Sequence, residues 1–491
     1  MSEPLYLTFD LGTTALKTAL VDGAGCIRGL HTREYAHRTP QPDWAEMPAE
    51  EYLSAAAEGS RAVLEQADGR AERVAAIGFS SQGETFVALD GAGKPLGPAI
   101  VWVDQRALAI ADEWEADGLT REAYRRIAGY AWLPCELSAF KIGWLRRNAP
   151  DAHRAARFLC LPDWVAFWLT GEAATDYTIA LMSGFFDLAA QDWSPAMLDR
   201  AGVTREQLPR VLRPGSVIGE LRPAAAAELG LQGGIPVCTG CNDQLAGAVG
   251  AGNVAPGVVT ETTGTALAVV STTPAILDDD RVCVGRHPVP ELFYALSYAN
   301  TSAIVLRWFR DLVAPGESYE ALTVEAGLVA PGSDGLTVLP HFCGTAPPAL
   351  DPTARGAIAG LSLGHGRAHI TRAIMEACAC ELRECLEPLL DRGMEIQSVR
   401  SLGGAARSDL WLQMKADLLG VPVERPECTD AASVGAAALA ATGVGHFATV
   451  TEAAQAWYRP GREVSPDHER SATYEDIYGR YVDLARRVYG R

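Results

Sequence analysis

One strand-turn-strand pattern occurs twice in this chain, and no other feature limits its fold as strongly. Near the N-terminus a short strand, Leu5 to Asp10, runs into Gly12-Thr13-Thr14 and returns as Leu16 to Val21. About 250 residues later, Val258 to Thr262 runs into Thr263-Gly264-Thr265 and returns as Ala266 to Val270. Gly and Thr suit a tight turn, and β-branched residues suit the strands beside it. After the first pair, Asp22-Gly23-Ala24-Gly25 supplies another turn and Cys26 to Tyr35 a third strand, so the chain opens as an antiparallel meander. Helical patterns at 49–66 and 104–116 surround strand signals at 73–80 and 85–89, the alternation of an α/β layer with a mixed sheet. The second half adds a long amphipathic helix at 366–392, a strand at 399–402 ending in Gly403-Gly404-Ala405, and helices at 408–419, 431–442 and 472–489. The pattern predicts an internal duplication at the level of fold: two related α/β domains, divided at 1–246 and 247–491, each presenting one Gly/Thr hairpin to a shared cleft.

The length, 491 residues, exceeds what a single core organises and agrees with two domains. Composition narrows the partners. With 42 basic against 61 acidic residues the net charge is -19, and no Lys/Arg stripe tracks a phosphate backbone, which argues against nucleic acid. No apolar run reaches the length of a membrane span and the N-terminus lacks signal-peptide character, so the expectation is a cytoplasmic protein with no membrane partner. The 11 Cys are scattered; the tightest group, Cys378, Cys380 and Cys385, lies on a helix and reads as reduced thiols. His365 and His369 near them lack a second ligand pair for zinc.

Phosphoryl transfer needs donors for the phosphate chain, a carboxylate near magnesium, and a group that positions and deprotonates the acceptor hydroxyl. Asp10 ends a strand beside a turn whose N–H groups and Thr hydroxyls can face phosphate, and Lys17 adds charge. Thr263, Gly264 and Thr265 are their counterparts. Asp243 leaves an apolar strand just before a helix of small residues; it reads either as an N-cap or as a general base toward an alcohol. Gly403 and Gly404 let a ligand lie close to a strand-to-helix turn, although each of these turns alone is equally an ordinary tight turn.

Taken together, Asp10-Leu-Gly-Thr-Thr, Ala99 to Arg106, Gly240-Cys-Asn-Asp243-Gln, Asp351-Pro-Thr-Ala-Arg-Gly356 and Gly403-Gly-Ala-Ala-Arg-Ser408 resemble, in order and spacing, the FGGY carbohydrate kinases over nearly the whole chain. The resemblance implies two ribonuclease H-like domains of the actin/hexokinase type with a cleft between them, sugar mainly on the first and ATP mainly on the second. It implies Mg2+ near Asp10, and Thr13, Thr14 and Lys17 by the transferred phosphoryl group. Thr263, Gly264 and Thr265 would lie by the phosphates, Gly403, Gly404 and Ser408 by adenosine, and Asp243 would be the catalytic base. Homodimers are common among similar kinases.

The acceptor side is read from Gln82, Gly83, Glu84, Trp102, Asp104, Asp243 and Gln244. The segment Gln82-Gly83-Glu84-Thr85 is similar to the glycerol kinase pattern with Gly in place of Arg, and to the xylulokinase segment with Glu84 in place of His. Glu136 stands where glycerol kinases carry an aromatic residue. Loss of the Arg and of the aromatic ring favours a longer polyhydroxylated acceptor, with D-xylulose or another ketopentose first and a glycerol-, erythritol- or pentitol-type polyol as the alternative. A carboxylated acceptor would be repelled unless Arg106 points inward. From another class, a non-catalytic nucleotide-dependent regulatory protein on the same fold is the rival. An NAD-dependent dehydrogenase is a poor third reading, because Gly91-Ala92-Gly93 to Gly97 has the wrong spacing for a dinucleotide loop and reads as a hairpin connection.

Overall fold

Residues 3–67, 70–347 and 350–490 are described by a computed structural model. They form two units. The first comprises the chain up to Val254 together with Val284–Phe293 and Asp430–Tyr458; the second comprises Ala255–Cys283, Tyr294–Thr429 and the chain from Arg459 onward.

In the first unit, β1 (Leu5–Leu11) is buried at every position except Asp10. Such a run, rather than alternation, marks a strand covered on both faces. The antiparallel partners β2 (Ala15–Asp22) and β3 (Ile27–Glu34) complete the meander, and β3 alternates in burial as an outer strand does. On the other side β4 (Val74–Ser81) pairs parallel to β1. Beyond it lie β5 (Val217–Glu220) and β6 (Pro236–Cys238), and the two-residue β7 (Cys241–Asn242) pairs with the end of β4. The order is β5-β6-β4-β1-β2-β3.

The second unit repeats this plan. Its central strand β8 (Val258–Thr263) pairs antiparallel with β9 (Leu267–Thr273), which is followed by β10 (Phe293–Ala299). On the other side β8 pairs parallel with β11 (Ser398–Leu402), then come β12 (Val423–Arg425) and β13 (Arg462–Val464), giving β10-β9-β8-β11-β12-β13. These six strands repeat the order of the first sheet, down to the outermost antiparallel pair. The duplication expected from the two hairpins is therefore present in the topology of both sheets.

Helices cover the sheets: in the first unit α1 (Ala49–Gln66) and α3 (Asp243–Gly250), with α2 (Ser138–Asn148) packed among other helices, and in the second α4 (Arg367–Leu390) and α5 (Asp409–Leu419). Then α6 (Ala431–Gly443) returns to the first unit and α7 (Ser471–Tyr489) to the second. The Ala/Gly sequence of α6 has a packing reason. A Cβ at Gly435 would stand 1.9 Å from the Ala246 carbonyl oxygen, and one at Gly250 1.9 Å from that of Ala431, so α3 and α6 touch backbone to backbone. Gly435→Ala is therefore expected to cost about 1–3 kcal/mol through overpacking, read as a lowered melting temperature; an unchanged one would mean the helices separate freely.

Three expectations need correction. The helix expected at 104–116 begins only at Leu108, because Asp104 is drawn into a buried loop network. The helix expected to be amphipathic, α4, is buried on all sides from Thr371 to Leu382, and its Arg372 and Glu376 satisfy each other at 2.8 Å. The Cys are expected to include no C-x-x-C pair, but Cys238 and Cys241 have that spacing; both are free buried thiols, as are Cys378 and Cys380. Among the described residues no helix is long and apolar enough to cross a membrane.

Candidate active site

Strand register assembles the first cluster. Asp10 is opposite Lys17 on β2 and Ser80 on β4, and Ser80 is in turn opposite Cys241 on β7, two residues before Asp243. The Ser80 hydroxyl donates to Asp10 Oδ1 at 2.7 Å. Lys17 Nζ pairs with Asp430 Oδ1 at 2.9 Å, which brings a third carboxylate to the cluster from the turn before α6. Asn242, not Asp243, is the N-cap of α3. Asp243 is the first helical residue and accepts from the Gln244 N–H at 2.7 Å, with the Gln244 side chain 3.4 Å away.

Burial, reinforced by the neighbouring Asp10, pushes the Asp243 carboxyl up to about 7, against the pull of its hydrogen bonds from Gln244. Burial also raises Asp10, opposed by Ser80 and Lys17 and reinforced by Asp430. For Lys17 burial works against the charge, but the bond to Asp430 and the field of Asp430 and Asp10 prevail and hold it above the ordinary lysine value.

Gln82, at the end of β4, donates to the Gly12 carbonyl at 3.2 Å and accepts from Thr13 Oγ1 at 3.3 Å. The half-exposed Trp102 joins the same turn, its indole N–H donating to Thr13 Oγ1 at 2.7 Å. Thr14 is exposed at the hairpin tip. Gly83 sits where a Cβ would meet the Met182 side chain at 2.8 Å. Glu84 has φ 61°, a left-handed conformation that a residue of this kind rarely adopts and that collects at functional sites. The Ser138 hydroxyl on α2 holds its carbonyl at 2.9 Å.

Under Trp102 lies Lys141, fully buried on α2, whose ammonium donates to the Val101 and Trp102 carbonyls at 3.1 and 3.3 Å. Burial pushes Glu84 up and Lys141 down; each carries the other's field, and Asp243 and Glu136 add to the rise at Glu84. Asp104 is different. It is buried, accepts the Ala45 N–H at 2.6 Å, and takes two bonds from the Arg106 guanidinium at 2.8 Å. Arg106 also reaches Glu46 at 2.7 Å and lies 3.8 Å over the Trp44 ring, so its charge is committed within the protein.

In the second unit the Thr263-Gly264-Thr265 turn and the Gly403-Gly404 turn are neighbours, because Thr262 and Leu402 are opposite each other across β8 and β11. Gly403 takes φ 79°, and a Cβ there would press on the Thr262 methyl at 3.2 Å; the Cβ position of Gly404 is open. Ser408 caps α5, accepting from the Trp411 N–H at 3.3 Å. Thr265 is exposed, whereas the Thr263 hydroxyl is buried between Glu261 at 2.6 Å and Lys415 at 2.9 Å. Lys415 Nζ also pairs with Glu261 Oε1 at 2.6 Å, and both side chains are completely buried. Ser401 completes the group, donating to Glu261.

Asp430, Lys141, Glu261 and Lys415 are the residues the sequence reading leaves out. Only Asp430 carries a local signal, standing immediately before the Ala-rich helix. Among the described residues no group of three or more His, Cys, Asp or Glu side chains is arranged to hold a metal ion by itself.

Two units with one strand order, each offering a tight hairpin and a neighbouring strand end, define the actin/hexokinase class of fold. Residues 5–250 match the N-terminal domain, and residues 258–444 the C-terminal domain, of the FGGY family of carbohydrate kinases. The chain belongs to that family and is a carbohydrate kinase, a class that uses ATP as a substrate. It is 32% identical over 481 residues to a glycerol kinase of Bordetella parapertussis, covering 93% of this chain and 92% of the other. It is 28% identical over 482 residues to a xylulose kinase of Bacillus subtilis, covering 97% and 95%. Among solved structures it resembles a xylulose kinase from Rhodospirillum rubrum, with TM-score 0.91, 29% identity and 99% of each chain covered.

Proposed function

We propose that this kinase transfers the γ-phosphoryl group of ATP to a primary hydroxyl of a neutral sugar, with D-xylulose as the first candidate, and that Asp243 is the general base. The observation that carries the reading is the placement of Asp243 on the first turn of α3, at the mouth of β7 and beside Asp10, where burial raises its carboxyl to about 7. A base of that strength is poised to take a proton at neutral pH. The acceptor lies on the first unit, against Gln82, Gly83, Glu84, Trp102, Asp243 and Gln244. Asp104 supports this side by fixing the 45–46 and 101–106 segments rather than touching the sugar.

Among the described residues, two cations on the acceptor side are occupied: Arg106 by Asp104 and Glu46, Lys141 by two carbonyls beside Glu84. A carboxylated acceptor therefore finds no free counter-charge in Arg106 or Lys141, which favours neutral ketoses and polyols. The alternative, a polyol kinase, is supported by the glycerol kinase relatives and by Gln82 and Glu84 in the glycerol kinase pattern.

ATP lies on the second unit. The exposed Thr265, the backbone of Thr263 and Gly264, and the N–H groups of the turn face its phosphates, while Gly403, Gly404 and Ser408 line the adenosine side. Thr13, Thr14 and Lys17 serve the transferred group. Asp10, Asp243 and Asp430 outnumber Lys17, and the repulsion between Asp10 and Asp243 fits a divalent cation arriving on the nucleotide, with Asp10 nearest to it. Magnesium, when bound, would offset charge on the phosphate oxygens.

Coupled ADP release with magnesium and ATP, measured against ketopentoses, pentitols, erythritol, glycerol and gluconate, tests the reading. The expected result is one neutral acceptor far above background and none with gluconate. Gluconate as the best acceptor, or no response to any neutral sugar or polyol, would contradict it.

A further inference from the structure

In the second unit, α4, α7, the end of β10 and the segment 341–347 enclose a cavity of about 340 Å³ that shares no residue with the hairpin and glycine turns described above. Glu381 on α4 lines it. Its side chain is 2% exposed, and neither carboxylate oxygen has a hydrogen-bond partner of normal geometry among the described residues. Burial, reinforced by Glu384, pushes the Glu381 carboxyl well above the ordinary carboxylate range, opposed only by the nearby Ser302 hydroxyl, which itself is left without a bond of normal geometry, so a positive charge in the cavity is what would favour the ionised form. His341 Nε2 stands 3.9 Å away, too far for a hydrogen bond, and meets the Tyr481 hydroxyl at 3.1 Å instead. A buried carboxylate without a partner is costly, and in native proteins such a group calls for an explanation such as a bound ion or ligand.

The rest of the wall points to a cation. Glu384 adds a second carboxylate, and the Tyr481 and Tyr489 rings can face a positive charge. Arg281 and Arg486 also line the cavity, but Arg281 is held by Asp279 and Asp391, both at 2.7 Å, and Arg486 by Asp483 at 3.4 Å. A bare metal ion is not favoured, since no three metal-ligating side chains converge here among the described residues. Apolar walls at Ala299, Val482 and Ala485 suit a short alkyl chain, and the volume lies in the range of small-ligand sites.

We propose that this cavity binds a small protonated aliphatic amine, with Glu381 as its counter-ion. The ammonium group supplies the donors that the Glu381 carboxylate lacks, and the alkyl chain lies against the apolar wall. Calorimetric titration of the full chain with 1,4-diaminobutane, with 1,4-butanediol as its uncharged isostere, tests this. The expected result is saturable binding of the diamine alone, weakened about tenfold or more in Glu381→Gln, as for loss of a charge-assisted bond. The comparison of diamine with diol uses the unaltered protein and so does not depend on how the variant folds. No saturable binding of the diamine, equal binding of the diol, or undiminished binding by a folded Glu381→Gln protein would overturn the proposal.

Discussion

Replacing Asp243 with asparagine is expected to lower kcat by about 10³-fold, within the range for removal of a positioned general base, while ATP binds with affinity little changed. Asparagine keeps the shape and the contact with Gln244 but cannot accept the hydroxyl proton. The same change carries a stability signature that tests the raised carboxyl itself, separately from turnover. In the folded chain the Asp243 carboxyl is raised from its ordinary value to about 7, by burial first and by Asp10 second. Its ionised form is therefore disfavoured by folding: the stability it contributes is complete below the ordinary carboxylate range and is lost as pH rises through about 7. The asparagine side chain cannot ionise, so the Asp243→Asn variant should melt higher than the parent at pH 8, and the difference should shrink at pH 5. A variant that turns over normally, or that melts lower by the same margin at both pH values, would remove Asp243 from the role assigned to it.

Lys415→Met is expected to be the most destabilising single change considered. The Lys415 ammonium and the Glu261 carboxylate are both completely buried and 2.6 Å apart, and the lysine also meets Thr263 and Ser401. Removing it leaves a buried carboxylate with no counter-charge, a loss of about 3–5 kcal/mol. The effect should appear as a lower first melting transition. The double variant Lys415→Met with Glu261→Gln should recover part of the loss, because the stranded charge is then gone. The group also fixes the Thr263 end of β8, so nucleotide affinity should fall with it. Melting within a degree of the parent would show that the pair contributes little.

Much of the architecture was legible because hairpins advertise themselves locally. Gly12-Thr13-Thr14 and Thr263-Gly264-Thr265 sit between runs of strand-forming residues, and the repeat of that pattern predicts the repeat of the whole strand order. What lies between adjacent strands was less legible. That Asp10, Ser80 and Cys241 share one row depends on the register of three strands whose pairing no local pattern encodes. Single charges within helices, such as Lys141 and Lys415, read as solvated residues, and only the packing reveals them as buried. The same blindness to side-chain direction explains Asp104 and Thr263. Their positions in the motifs are easily read, but the folded chain turns the Asp104 carboxylate toward Arg106 and the Thr263 hydroxyl toward Glu261. Asp430 lies 413 residues from its partner Lys17, a separation at which pairing is set by the fold as a whole.

The central claim is that Asp243 acts as a base whose strength is set by burial beside Asp10. Its most direct test is the pH dependence of kcat/KM for the best acceptor at saturating magnesium-ATP. The account predicts that kcat/KM rises with pH as one group loses a proton, with a midpoint near 7, and then levels. A profile flat from pH 5 to 8 would contradict it, as would a midpoint in the ordinary carboxylate range, because Asp243 would then be ionised throughout and its burial would have no part in the reaction.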